Sequence, residues 1–209
     1  MAAAGNQPHL PHPSPATLLN AVLDESASLD GRNAQWTEEA ARELRNIAVA
    51  VRANAQARNV AGARAELTST VQHLTPLLCH FMSEGVQMRK LRRMFRTAVG
   101  APMVPAAAPD LLPFFHVGDQ CMSQAEISNG ILRNTSESMS GRVNAALTLL
   151  DAVEAGATNP DEVWGTINEH LEEVTTYTEM MVAQHTALSL HMRCVVMSIA
   201  AGVRLYVPA

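Results

Sequence analysis

The side chains best suited to metal or nucleophilic chemistry are eight histidines and three cysteines. His80 and Glu84 lie four residues apart on a predicted helix, so they would share one face and could both ligate a metal. Metal sites in helical bundles use paired E-x-x-H motifs, and neither these nor the HExxH zinc signature occur here. His191 and Cys194 form a second close pair. A chain with eight histidines and three cysteines is expected to contain such pairs by chance. We therefore predict no metal and no cofactor.

The same residues do not form a recognisable catalytic group. Cys79 and His80 are adjacent, and adjacent residues point to different faces of a helix. The chain has no GxSxG, GxGxxG or Walker sequence. We predict that the protein is not an enzyme and that it has no small-molecule substrate. An enzyme or metalloprotein with an unrecognised site is the remaining alternative.

A basic helix is predicted from about Val86 to Val99. Arginine suits bidentate phosphate contacts, so its basic face could follow a nucleic-acid backbone. An acidic protein partner or a plain solvated face explains the same residues, and only 4% of residues are aromatic, which leaves little for base stacking. The candidate nucleic-acid-binding residues are Arg89, Lys90, Arg92, Arg93 and Arg96.

Charge is distributed unevenly along the chain. Residues 1–99 carry eleven basic and eight acidic groups, and residues 100–209 carry four basic and twelve acidic groups. The halves therefore have net charges of +3 and −8. Such opposed charges can attract within one molecule or between neighbouring copies.

Cysteine usage and hydropathy predict an intracellular or virion-interior, reducing location. Cys79, Cys121 and Cys194 are an odd number without CxxC spacing, and no secretory signal is expected. We also predict no membrane span. The most apolar stretch, Cys194 to Val203, is about half the roughly 20 residues that a spanning helix needs.

The N-terminal half is predicted to be a flexible arm, residues 1–15, followed by short helices over residues 16–99. Ser14 and Pro15 suit the start of a helix, and Gly31 is expected to end it. Further interruptions are expected near Asn59 and at Gly85. An apolar, proline-rich connector follows over residues 100–121.

The connector is the first predicted interaction segment. A merely solvated linker would not contain so many large apolar residues, so we expect it to lie against the chain's own core or a partner. Met103 and Val104 belong to it, and the candidate interaction residues are Leu111, Leu112, Phe114 and Phe115.

The C-terminal half, residues 122–209, is predicted to hold two helices. Ser123 and Glu126 form an S-x-x-E capping box that should start the first of them, with a kink near 134–138. Asn159, Pro160 and two acids then start a long helix over residues 160–206.

The long helix carries a heptad pattern of apolar residues typical of a coiled coil or bundle. At 1.5 Å per residue it is about 70 Å long, and we expect short neighbouring helices to leave part of it projecting toward another chain. A compact four-helix bundle, with this helix broken near His191, is the alternative. His185 would be a core or register-setting histidine, and a pH-sensitive seam is possible. The heptad seam comprises Ile167, Leu171, Val174, Met181, His185, Leu188, Met192, Val195 and Ile199.

The patterns together predict an all-α, one-domain helical bundle that acts as a non-enzymatic structural or scaffold subunit. Its partners would be itself, other protein subunits, or both. A capsid, nucleocapsid or tegument component is the narrower interpretation. A nucleic-acid-binding coat or packaging protein is the alternative.

Overall fold

The computed structural model describes residues 14–100 and 109–206, and these ranges contain helices and no strand. The predicted all-α bundle is confirmed. Most of the predicted arm, with Met103 and Val104 of the connector, lies outside the described residues. A short 3-10 turn occupies Pro109–Leu111, and the long helices are α1 (Pro15–Gln56), α2 (Val60–Val99), α3 (Leu112–Glu154) and α4 (Pro160–Tyr206).

Short-range hydrogen bonds fix three of the helix starts. The backbone N–H of Thr17 donates to Oγ of Ser14 at 3.2 Å. The N–H of Gly62 donates to Oδ1 of Asn59 at 3.0 Å, and the N–H of Asp161 donates to Oδ1 of Asn159 at 3.1 Å. Each contact satisfies a backbone donor that the helix itself leaves unpaired.

The helices are longer than the sequence predicted. Gly31 lies inside α1 and Gly85 inside α2, and α3 begins at Leu112, well before the capping box at Ser123. Neither residues 134–138 nor His191 interrupts a helix. Buried residues continue on both sides of each expected break, so tertiary packing outweighs the local helix-breaking signals.

Each helix packs against two neighbours, in the order α1, α2, α3, α4 and back to α1. Consecutive helices are antiparallel. Arg64 near the start of α2 pairs with Asp151 near the end of α3 at 2.8 Å, and Arg58 at the end of α1 pairs with Asp161 at the start of α4 at 3.0 Å. The fold is therefore an up-down-up-down four-helix bundle with a continuous apolar core.

A buried polar layer crosses the middle of the bundle. Glu84 on α2 pairs with Arg32 of α1. The Nε atom of Arg32 lies 3.5 Å from the carboxylate of Glu84. Gly85, the next residue, provides space for the Asn129 amide, since an added Cβ would lie 2.7 Å from its Oδ1. The central polar layer, to which every helix contributes, comprises Asn33, Glu84, Asn129, His185 and Ser189, all buried.

Two glycines should respond in opposite directions to the same substitution. In Gly202→Ala the new Cβ would lie 2.6 Å from the ring of Phe115, which is itself buried. We expect the free energy of unfolding to fall by about 1–2 kcal/mol because the core is overpacked. In Gly31→Ala no atom lies within 4 Å of the added methyl, and helix propensity should raise stability by about 0.5–1 kcal/mol. Guanidinium denaturation measures both, and equal shifts would contradict this packing.

Candidate interaction surface

The heptad seam of α4 faces the chain's own core. All nine seam residues are buried, and they lie along the whole bundle. The prediction that part of the seam projects is wrong for this chain, because the three other long helices span 40–43 residues and nearly match the 47 of α4. The alternative of a compact four-helix bundle fits, although its proposed break near His191 does not occur. Any association must therefore use other surfaces.

His185 of the seam belongs to a row of four contacting rings that runs from the partly buried Trp36 into the core. Its ring centroid lies 5.3 Å from that of Phe81. Phe81 contacts His80 edge-on, and His80 stacks on Trp36 with centroids 4.4 Å apart. Burial, with a smaller effect of His80, lowers the pKa of His185 to about 4. His185 is therefore a neutral core histidine near neutral pH.

The His80 and Glu84 pair does not extend into a metal site. Burial raises the pKa of Glu84, and the neighbouring Arg32 opposes that shift. Burial, and then Arg32, lowers the pKa of His80. Within residues 14–100 and 109–206 no three histidine, cysteine or acidic side chains converge closely enough to hold a metal ion. Absence of a metal or cofactor, and of enzymatic activity, stays a prediction.

Two residues of the basic helix pair with α3. Arg92 donates to Asp119 at 3.0 Å and to Glu126 at 3.1 Å, and Arg96 donates to Asp119 at 3.0 Å. Hydrogen bonds from Arg96 and Arg92 lower the pKa of Asp119 to about 2 despite its partial burial. The acidic partner of these arginines is thus within the same chain.

The other three basic residues lie on the solvent side of α2. Arg89, Lys90 and Arg93 are exposed, and no ion pair involves them within the part of the chain that the structure describes. Of the five candidate nucleic-acid-binding residues, two form ion pairs with α3, and three form none within the described residues.

The candidate residues of the connector lie at the start of α3 and divide between core and surface. Leu111 and Phe115 are buried, and the Phe115 ring contacts Phe95 of α2 with centroids 5.8 Å apart. Leu112 is 46% exposed and Phe114 is 37% exposed. Two of the four candidate docking residues of the connector therefore belong to the chain's own core.

A largely apolar groove opens between the end of α2 and the start of α3. It encloses about 730 Å³. Apolar side chains form most of its lining, and the Arg96–Asp119 pair bounds it on one side. The α2/α3 groove is lined by Phe95, Arg96, Val99, Gly100, Leu112, Pro113, Phe115, His116 and Asp119.

A second apolar surface, which the sequence analysis missed, lies on the outer side of α4. Leu190 is 61% exposed and Met197 is 72% exposed, and Ala183 continues the same row one heptad earlier. Between residues 180 and 203 the only acidic, lysine or arginine side chain is Arg193. This outer α4 stripe was detectable as a third heptad-spaced row beside the seam.

The same helix bears on the membrane prediction. By length and composition, the segment from Asp161 to Arg204 is apolar enough to cross a membrane, and 44% of its most apolar window is buried inside the bundle. Core helices of soluble bundles share these properties. The prediction of no membrane span is therefore not confirmed.

Comparison of the chain with protein-family models, with curated proteins and with solved structures gives no match. Inference about function therefore depends on the surfaces described above.

The buried His185 should make stability depend on pH. Its pKa is about 4 in the folded chain against 6.5 normally, so between these values the unfolded chain binds a proton that the folded chain does not. We expect the free energy of unfolding to fall by about 2 kcal/mol from pH 6.5 to 4 through this group. His185→Met should remove that part of the slope in guanidinium denaturation at several pH values.

A core substitution that removes no titratable group provides the matched control, and Leu188→Met, in the same helix, should leave the slope unchanged. His80, whose pKa is lowered, acts in the same direction, and Glu84, whose pKa is raised, acts in the opposite direction. Both are present in all three proteins, so the difference between variants reports on His185. Parallel pH profiles for wild type and His185→Met would contradict the assignment.

Proposed function

We propose that the chain is a non-enzymatic structural subunit that associates with further copies of itself, the α2/α3 groove of one copy binding the outer α4 stripe of the next. The observation that carries this proposal is that an apolar groove and an apolar helix stripe lie on different sides of the bundle. The groove lies between α2 and α3, and Leu190 of the stripe borders a cleft with α1. A capsid, nucleocapsid or tegument role is the narrower form.

The composition of α4 supports a second copy as the occupant. The groove needs a largely uncharged, apolar helix face, and Leu190 and Met197 stand seven residues apart, which is the spacing of a helix that binds in a groove. Arg193, three residues after Leu190 and four before Met197, lies beside the stripe and pairs with Asp30 of α1 at 3.9 Å. Contacts between different surfaces of identical subunits generate rings or open chains, which suits a subunit of a larger assembly.

Self-association can be tested by light scattering on a sizing column, in the presence of a thiol reductant, over a series of protein concentrations. Wild type should exceed the 22.5 kDa of one chain. Leu112→Glu, in the groove, and Met197→Glu, in the stripe, should each be monomeric, because a carboxylate would have to be desolvated at the contact. Val49→Glu is the control, since Val49 is 67% exposed and lies on neither surface.

A mixture of the two variants separates this arrangement from a symmetric dimer. Leu112→Glu retains the stripe and Met197→Glu retains the groove, so the mixture should form one-to-one dimers and nothing larger. A wild type that stays monomeric at its highest soluble concentration rejects the proposal. Association that neither substitution weakens rejects the two surfaces.

Nucleic-acid binding is the second candidate function, supported by the exposed residues Arg89, Lys90 and Arg93. Their replacement by Glu should abolish salt-sensitive binding to nucleic acid, measured by fluorescence anisotropy. Three phosphate contacts correspond to a salt slope of about 2 to 3. The matched control replaces Arg42, Arg45 and Arg52, exposed residues of α1, by Glu. Equal loss in both triple variants would indicate a general charge effect and count against this surface.

A further inference from the structure

The antiparallel register of α3 and α4 places two cysteines opposite each other. Side chains of the two helices meet at several levels, and each step forward on α3 corresponds to a nearly equal step back on α4. The meeting pairs are Phe115 with Gly202, Gly118 with Ser198, Ser136 with Met181, Met139 with Thr178 and Arg142 with Glu173. Cys121 lies three residues after Gly118, and Cys194 lies four residues before Ser198.

The two helices approach closely one turn from the cysteines. A Cβ placed on Gly118 would lie 3.8 Å from Cβ of Ser198. Disulfide-bonded cysteines have Cβ atoms about 3.5–4.5 Å apart, so this section of the interface has the separation that a disulfide needs.

The electrostatics of the two cysteines agree with this register. Burial, and then the neighbouring Cys194 thiol, raises the pKa of Cys121 to about 11. Cys121 is half-buried and Cys194 is exposed, so a soluble oxidant reaches Cys194 first. Cys79 is also exposed but lies on α2, away from this interface.

We propose that Cys121 and Cys194 are a reversible disulfide site that covalently links α3 to α4 when the chain meets a small-molecule disulfide such as oxidised glutathione. Cys194 lies four residues after Leu190 and three before Met197, so the disulfide is expected in the monomeric chain, where the outer α4 stripe is uncovered. It would convert a packing contact into a covalent connection between the two helices.

The reaction balances as two thiol–disulfide exchanges. The Cys194 thiol loses its proton, and its sulfur attacks one sulfur of oxidised glutathione, which releases one glutathione thiolate. The Cys121 sulfur then attacks the Cys194 sulfur, loses its proton and releases the second glutathione. The two cysteines give up two electrons and two protons in total, and the oxidant becomes two glutathione thiols.

The test equilibrates the folded full chain in mixtures of reduced and oxidised glutathione, quenches with acid, alkylates the free thiols and measures the intact mass. We expect the number of alkylated thiols to fall from three to one, with no glutathione attached at Cys121 or Cys194. Proteolysis should yield the peptide of Cys121 linked to that of Cys194. Cys79→Ser is the matched control and should still form the disulfide.

Two further measurements keep the outcome decisive. Cys121→Ser should accumulate a stable mixed disulfide at Cys194, because no second thiol displaces glutathione. In guanidinium, where the register is lost, the intramolecular disulfide should decrease several-fold at the same glutathione ratio. Persistent glutathionylation of wild-type Cys194, or disulfide-linked dimers in place of the internal link, would overturn the proposal.

Discussion

The central polar layer is the constraint on which the register of the bundle depends. Leu, Val and Ile layers are chemically alike, so an apolar core alone would tolerate a helix shifted by one turn, about 5.4 Å. Such a shift would place Glu84 and Asn129 against apolar side chains, where a buried polar group is costly. Each helix contributes to the layer, and only this alignment places Arg32 beside Glu84 and the Asn129 amide beside Gly85. The positions of the α2/α3 groove and the outer α4 stripe follow from that alignment.

Electrostatics reinforce the same arrangement. The basic N-terminal half and the acidic C-terminal half form intramolecular ion pairs with each other, through Arg58, Arg64, Arg92 and Arg96. Most of these ion pairs are exposed and each contributes little to stability. They favour the antiparallel orientation of the helices, because a parallel placement of α2 and α3 would put Arg64 at the opposite end of the bundle from its acidic partners. The opposite charges of the two halves are thus largely paired within one chain.

The sequence predicted what short-range chemistry determines and failed where tertiary packing decides. The caps at Ser14 and Asn159 involve residues two or three apart and were predicted, whereas near Asn59 only an interruption was predicted and the cap was missed. Gly31 and Gly85 were mistaken for helix ends, because a continuing apolar face overrides the cost of one glycine. That error made the neighbouring helices seem short and led to the projecting seam. The α2/α3 groove, formed by Phe95 and Leu112 across the connector, could not be anticipated from either segment alone.

The up-down-up-down topology has a mechanical consequence. Residues 14 and 206, the outermost described positions, lie at the same end of the bundle on the adjacent, antiparallel helices α1 and α4. A force that draws these two points apart therefore separates α1 from α4 one layer at a time, beginning at the end where the force is applied. A force applied between residue 14 and the turn at 57–59 acts along the bundle axis and would have to shear many layers together. Resistance to force should therefore depend strongly on where the chain is held.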